Sequence, residues 1–329
     1  MKILFAVQAT GNGHISRARE VIPHLRLHGE LDVLISGRQA EVALPTLIKY
    51  KKSGISFTFG KRGGIDIIDS IRHFRPFTFL KDIYQFPVKK YDLIINDFEP
   101  VTAWACKLKK KTCIALSHQA SFLSPKTPRP NQRNAFAENI FRNYAPVNDY
   151  RGFHFKEYDK NIFTPVIRSD IRKLAPSNKG HITVYLPAHS DPLILYHLKQ
   201  INNVKWQVFS KSSKQAYSDS NVSITPVNND AFTASLATGD GLLTAGGFES
   251  PAEAIFLRKK VFVIPMIGQY EQACNAEAMK ELGITVVKKL DETFTEKLRN
   301  WVESGFPPNM HYPDITGKII EEIIAGVSW

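Results

Sequence analysis

Two doubly wound α/β domains of Rossmann-like type, facing each other across a cleft, are the fold this sequence predicts. Three observations carry that prediction. Residues 2–36 read as strand, glycine-rich turn, helix and strand, the opening of a doubly wound sheet. The same layout restarts at residue 181. Leu242 to Asn275 then reads as strand, Gly246-Gly247 turn, helix, a second strand ended by Pro265, polar loop and helix. A length of 329 residues accommodates two such domains.

The elements follow in order. KILFAVQ (2–8) is a near-continuous apolar run, as a buried parallel strand requires. It stops at Ala9-Thr10-Gly11-Asn12-Gly13-His14. Ile15 to Leu27 reads as a helix with Ala18, Val21, Ile22 and Leu25 on one face. Ser16 replaces the third glycine of a dinucleotide fingerprint, and no Gly-Lys-Ser/Thr of a P-loop follows. LDVLIS (31–36) is a second strand. SGISFTFG (53–60) reads as a third, followed by the basic turn Lys61-Arg62-Gly63-Gly64 and a helical stretch over 66–85. YDLIINDFEP (91–100) is a strand ending in Asp97 and Glu99. A lysine-rich helix (101–111) and the strand TCIALSHQ (112–119), which ends at His118, come next. The basic, proline-rich 124–133 reads as a mobile loop.

Residues 164–180 read as a linker. Beyond it, 181–191, 205–210, 221–227, 240–247 and 260–265 contain strands, with helical patterns between most of them. ITGKIIEEIIAGVSW (315–329) is an amphipathic helix with no strand after it. The expected division is 1–163, 164–310, and a last segment 311–329 that returns to the first domain.

Hydrophobic content of 43 % and charged content of 22 % are those of a soluble globular protein. No apolar run reaches the ~18 residues of a membrane span, and the N-terminal run reads as a first strand rather than a secretory signal. Cys106, Cys113 and Cys274 show neither metal spacing nor a disulfide framework, which fits a reducing cytoplasm. The net charge of +12 is uneven. Residues 1–165 hold 26 Lys and Arg against 14 Asp and Glu, whereas 166–329 hold 17 of each. An anionic partner for the first half follows, with a peripheral membrane contact at the inner face as the expected form. Nucleic acid is not expected, because no basic platform interleaved with aromatics is present.

Several residues at predicted strand ends could carry chemistry. His14, in the glycine turn of Gly11 and Gly13, can take a proton from a hydroxyl. Asp97 ends another strand at the same sheet edge, where it can accept the other ring N–H. It could equally cap the next helix, and Glu99 competes for both roles. His118 is a third candidate on that edge. In the second half, Gly246 and Gly247 let a phosphate approach backbone N–H groups at a helix start, and Ser250 adds a hydroxyl. Glu253 can accept two ribose hydroxyls with one carboxylate. Glu271, Gln272 and Asn275 offer polar groups suited to sugar hydroxyls. The bland alternatives are helix caps and first-turn compensation of the dipole.

The run Gly247-Phe248-Glu249-Ser250-Pro251-Ala252-Glu253, then Pro265, then Glu271-Gln272-Ala273-Cys274-Asn275, resembles the donor-site signature of GT-B glycosyltransferases. It is most similar to the group of the lipid II-forming N-acetylglucosaminyltransferase and the UDP-glycosyltransferases. Gly11-Asn12-Gly13-His14 resembles that group's glycine-rich loop and following His, and Asp97 matches the Asp that orients this base in plant members. Ser190 resembles the Ser of the loop that approaches the donor diphosphate. Ala245 stands where plant members carry a His.

The resemblance implies an inverting transfer from a nucleotide-sugar, with a UDP-sugar expected, onto an acceptor hydroxyl, expected on a lipid-linked or cell-envelope glycan. No Asp-x-Asp motif is present, so neither a metal nor any other cofactor is expected. Two alternatives are a 2-epimerase of the same fold and a non-catalytic nucleotide-sugar-binding protein. Phe248-Glu249-Ser250 after the glycine pair argues against the epimerase.

Overall fold

The computed structural model describes residues 1–9, 11–37, 44, 46–54, 58–59, 65–66 and 75–326. Its first sheet contains β1 (Lys2–Gln8), β2 (Glu30–Ser36), β3 (Tyr50–Lys52), β6 (Leu93–Asp97), β7 (Ile114–Ser117), β8 (Asp149–Phe153) and β9 (Ile162–Phe163). The order is β3-β2-β1-β6-β7-β8-β9 and every pairing is parallel. The pair β4 (Thr58–Phe59) and β5 (Ile65–Asp66) forms a separate antiparallel ladder. The second sheet contains β10 (His181–Tyr185), β11 (Lys205–Ser210), β12 (Tyr217–Asp219), β13 (Val222–Pro226), β14 (Gly241–Thr244), β15 (Lys260–Val263) and β16 (Thr285–Val286). Its order is β12-β13-β11-β10-β14-β15-β16, parallel except for β12.

The helices among the described residues are α1 (Asn12–Arg26), α2 (Pro76–Gln85), α3 (Pro100–Leu108), α4 (Ala135–Asn143), α5 (Ser169–Arg172), α6 (Asp191–Leu198), α7 (Asn229–Thr238), α8 (Glu249–Phe256), α9 (Tyr270–Glu281), α10 (Phe294–Ser304) and α11 (Thr316–Ala325). None is long and apolar enough to cross a membrane.

Alternation along β1 shows why the sheet needs helices on both faces. Ile3, Phe5 and Val7 enter one apolar cluster with α1, while Leu4 and Ala6 enter another with Ile94, Val101 and Ala105. In the second sheet, Leu242 faces the first of these clusters and Leu243 faces a third, with Trp206, Phe262 and Trp301. Ile319, Ile320 and Ile323 of α11 pack into the cluster of Val21 and Leu25 of α1. The last helix therefore sits against the first domain.

The third parallel strand differs from the one read in the sequence. It is Tyr50–Lys52; half of 53–60 lies outside the described residues along with the Lys61–Gly64 turn, and Thr58–Phe59 within it pairs antiparallel with β5. Alternation in ISFTF outweighs the lysines of the true edge strand, and lysine suits an exposed edge. Tyr50 anchors that edge by its ring, 5.1 Å from Phe86, and by the hydroxyl bond from Tyr91. The stretch 124–133 is tied down. Thr127 donates to the Ser121 carbonyl at 2.6 Å, and Arg129 pairs with Glu138 at 2.6 Å while donating to the Phe122 carbonyl.

Candidate active site

Parallel strands bring their C-terminal ends to one edge. In the first domain that edge carries Gln8, Asp97 and Ser117. In the second it carries Thr244 and Val263. Gly11, at φ 94, makes the turn from β1 into α1, with open space where a side chain would stand. The buried face of α1 carries His14, Arg17, Ala18, Val21 and Leu25. His14 and Arg17, three residues apart, share the first turns of that face.

His14 Nδ1 lies 2.7 Å from Asp97 Oδ1. Arg17 donates from Nε to Asp97 Oδ2 at 2.9 Å and from Nη2 to Oδ1 at 2.8 Å. Burial opposes the charge on Asp97, but the guanidinium and the ring outweigh it and hold the carboxyl below its usual range. Glu99 has a different task. It caps α3, accepting from Val101 N, Thr102 N and the Thr102 hydroxyl. Asn96 closes the turn by accepting from Glu99 N and donating to the Glu99 carbonyl. Phe98, between the two acids, sits at φ 56, in the left-handed region. That turn aims Asp97 at α1 and Phe98 into the cleft.

The second domain meets this edge closely. Arg17 Nη1 donates to Glu249 Oε1 at 3.0 Å, and a Cβ on Gly13 would stand 2.6 Å from the Glu249 carboxyl. Gly13 thus leaves the space that the Glu249 carboxyl takes up against α1. A cavity of about 240 Å³ opens beside it. Its floor holds His14, Gln119, Glu249 and Glu271, and its wall is Phe98, Ile140, Phe141, Tyr144 and Tyr270. Glu271 accepts from Gln119 Nε2 at 3.1 Å. Burial raises its carboxyl, against Gln119 and His14.

The other expected site residues sit as follows. Gly246 N–H is already accepted by Gln272 Oε1 at 3.0 Å, and the same oxygen takes Met266 N–H at 2.9 Å. Gln272 thus binds the glycine turn to the loop after β15. Asn275 Nδ2 donates to the Gly246 carbonyl at 3.1 Å. Gly247 has open space beside it, and Ser250 lies half-buried in the first turn of α8. Glu253 is buried, and both its oxygens accept from Arg168, at 2.6 and 3.1 Å. Ser190 is the exposed N-cap of α6, and its hydroxyl makes no cap bond.

His118, a candidate at the same strand edge, is buried at the domain boundary. Its Nδ1–H donates to the Phe153 carbonyl at 2.8 Å, its Nε2 stands 3.0 Å from Asn275 Oδ1, and its ring stacks on Phe248 at 3.8 Å. Burial pushes its pKa down to about 3. His154, 5.2 Å away, is pushed well below its usual value by burial too. An unfolded chain therefore takes up protons that the fold refuses. Stability is full above pH 6.5, the ordinary imidazole value, and falls as pH drops toward 3. By pH 5 His118 alone is expected to cost about 2 kcal/mol, with His154 adding in the same direction. Urea unfolding at pH 7.5 and 5 checks this, and equal midpoints would refute it.

Sequence reasoning left Arg17, Glu249 and Arg168 without roles. Arg17 was within reach, one helical turn from His14. Arg168 lies in a stretch that reads as plain linker. Among the described residues no group of three or more His, Cys, Asp or Glu side chains is placed to hold a metal ion.

A profile of the family described as glycosyl transferase family 1 matches residues 66–304. No curated protein sequence matches the chain. Solved structures do. UGT89C1 of Arabidopsis thaliana complexed with UDP is 12 % identical with a TM-score of 0.61, covering 100 % of this chain and 96 % of that one. MurG of Acinetobacter baumannii is 12 % identical with a TM-score of 0.59, covering 99 % and 100 %. The glycosyltransferase SnogD from Streptomyces nogalater is 14 % identical with a TM-score of 0.54, covering 98 % and 99 %. At such identities the likeness is one of fold, and the fold is GT-B.

Proposed function

The chain belongs to glycosyl transferase family 1, and from that premise we propose that it is an inverting, metal-independent transferase using a UDP-sugar. The observation that carries the reading is the His14–Asp97 contact of 2.7 Å on the floor of a cavity walled by both domains. With Nδ1–H donated to Asp97, His14 Nε2 takes the proton of an acceptor hydroxyl. The freed oxygen attacks the anomeric carbon from the face opposite the diphosphate. The bond from that carbon to the diphosphate oxygen breaks, and the nucleoside diphosphate leaves with the bonding pair.

Its charge is met by N–H groups at the start of α8, with Gly247 leaving room, and by the Ser250 and Ser190 hydroxyls. Gly246 contributes shape rather than a donor, since its N–H is already bonded to Gln272. Glu253 is the ribose ligand in this reading and exchanges Arg168 for ribose hydroxyls. Glu271, Gln272 and Asn275 line the sugar end. A thermal-shift panel of nucleoside diphosphates tests the donor. UDP is expected to raise the melting temperature most, and a shift confined to another nucleotide would reassign it.

We further propose that the first domain rests on an anionic membrane. Phe77, Leu80 and Tyr84 of α2 are 87 %, 60 % and 74 % exposed, and Leu108 at the end of α3 is 57 % exposed. Lys89, Lys90, Lys107 and Lys110 are exposed on the neighbouring segments. A lipid-linked acceptor would reach the cavity from that surface. Flotation with phosphatidylglycerol vesicles is expected to carry the protein at low salt and release it at high salt. Equal behaviour with neutral vesicles would remove the membrane from the account.

A further inference from the structure

The geometry points to Arg17 as a positioning residue that sets the charge facing His14 and links it to the donor side of the cleft. The inference rests on the reading of His14 as the base. Arg17 is 4 % exposed, and all three of its guanidinium nitrogens are engaged. Nε and Nη2 take both oxygens of Asp97, while Nη2 also stands 3.1 Å from His14 Nδ1. Nη1 crosses to Glu249 at 3.0 Å.

An Asp whose only partner is the ring gives an imidazolium its whole negative charge. Here the carboxylate is shared with a cation that never deprotonates. The carboxylate thus divides its charge between the ring and the guanidinium. The other titratable groups facing His14 are Glu249 on α8, Glu271 on α9 and His118 after β7. Of these, Glu249 is itself bonded to Arg17, so the Glu249→Gln variant below separates its charge from that of residue 17.

Glu249 opens α8, two residues after Gly247, and its carboxyl packs where Gly13 has no side chain. The Arg17–Glu249 bond forms only when the donor turn stands against α1. Any shift of that turn on binding a diphosphate therefore reaches Asp97 and His14 through one guanidinium.

The test follows the His14 ring by NMR titration of histidine-labelled protein, together with the pH profile of kcat/KM. Arg17→Gln removes the cation and leaves Asp97 to the ring alone. The His14 midpoint is expected to rise by about one pH unit, and the acid limb of the rate profile to move with it. Arg17→Lys keeps the charge without the fork, and is expected to give a smaller rise in the same direction. Glu249→Gln is expected to lower kcat, and the double variant with Arg17→Gln to be no slower than Arg17→Gln alone.

A midpoint that does not move in Arg17→Gln would overturn the inference, as would losses from the two substitutions that multiply. Should Arg17→Gln not fold, Arg17→Met, which also removes the cation but keeps an apolar stem, carries the same titration and an unmoved midpoint there has the same meaning. If the wild type transfers no sugar, the reading of His14 as base fails, while the NMR titration still decides whether Arg17 sets its charge.

Discussion

Replacing His14 with Ala is expected to lower sugar transfer by about 10³- to 10⁴-fold while changing UDP affinity by no more than about twofold. The first number follows from losing the acceptor's proton sink. The ring stands on the cavity floor, held by Asp97 at 2.7 Å. Of the carboxylates beside it, Glu271 accepts from Gln119 and Glu249 is paired with Arg17. The second number follows from the domain division. The residues assigned to the donor lie on α8 and α9 and in the turns before α6 and α8, whereas His14 lies in the first turn of α1. Transfer assays and calorimetry on the same preparation check both. A variant that keeps a tenth of its activity would remove His14 as the base.

Asp97→Ala is expected to be costly in two ways. Asp97 is completely buried, and its removal strands the Arg17 guanidinium with Glu249 as its remaining carboxylate partner. Breaking a buried pair by deleting one partner costs about 3–5 kcal/mol. The same change frees the His14 ring to turn, so transfer is expected to fall by about 10²-fold or more in the fraction that folds. Urea unfolding measures the first effect and transfer per folded molecule the second. Glu99→Ala serves as the contrast. Loss of that cap is expected to cost only about 1–2 kcal/mol, with transfer per folded molecule kept within about threefold. Equal losses at the two acids would show that the strand end acts only as a scaffold.

That contrast also marks what the sequence could tell. Apolar runs ended by glycine or proline identify β1, β14 and β15, because a strand covered on both faces has little choice of residue. The meeting of His14 with Asp97 was legible for a related reason, since parallel strand ends must share an edge. Which of Asp97 and Glu99 faces His14 was open from the residues alone, and only the resemblance pointed to Asp97. The choice depends on the left-handed turn at Phe98 and on the Asn96 bonds, which strand periodicity does not encode. His118 misled because a strand-end His looks alike whether it faces a cavity or a neighbouring domain. Its burial comes from Phe248 and Asn275, more than a hundred residues away. The spacing of Gln272 did not announce that its carbonyl oxygen binds two backbone N–H groups. Side chains near a turn are read most poorly where the turn itself needs their hydrogen bonds.

The central claim is that donor binding and proton removal reside on different domains of one cleft. Calorimetric titration of UDP into His14→Ala and into the wild type, without divalent metal, tests it most directly. The account predicts saturable binding in both, with dissociation constants within about twofold and sugar transfer only in the wild type. Absence of UDP binding to the wild type, or its loss in His14→Ala with the fold intact, would contradict it.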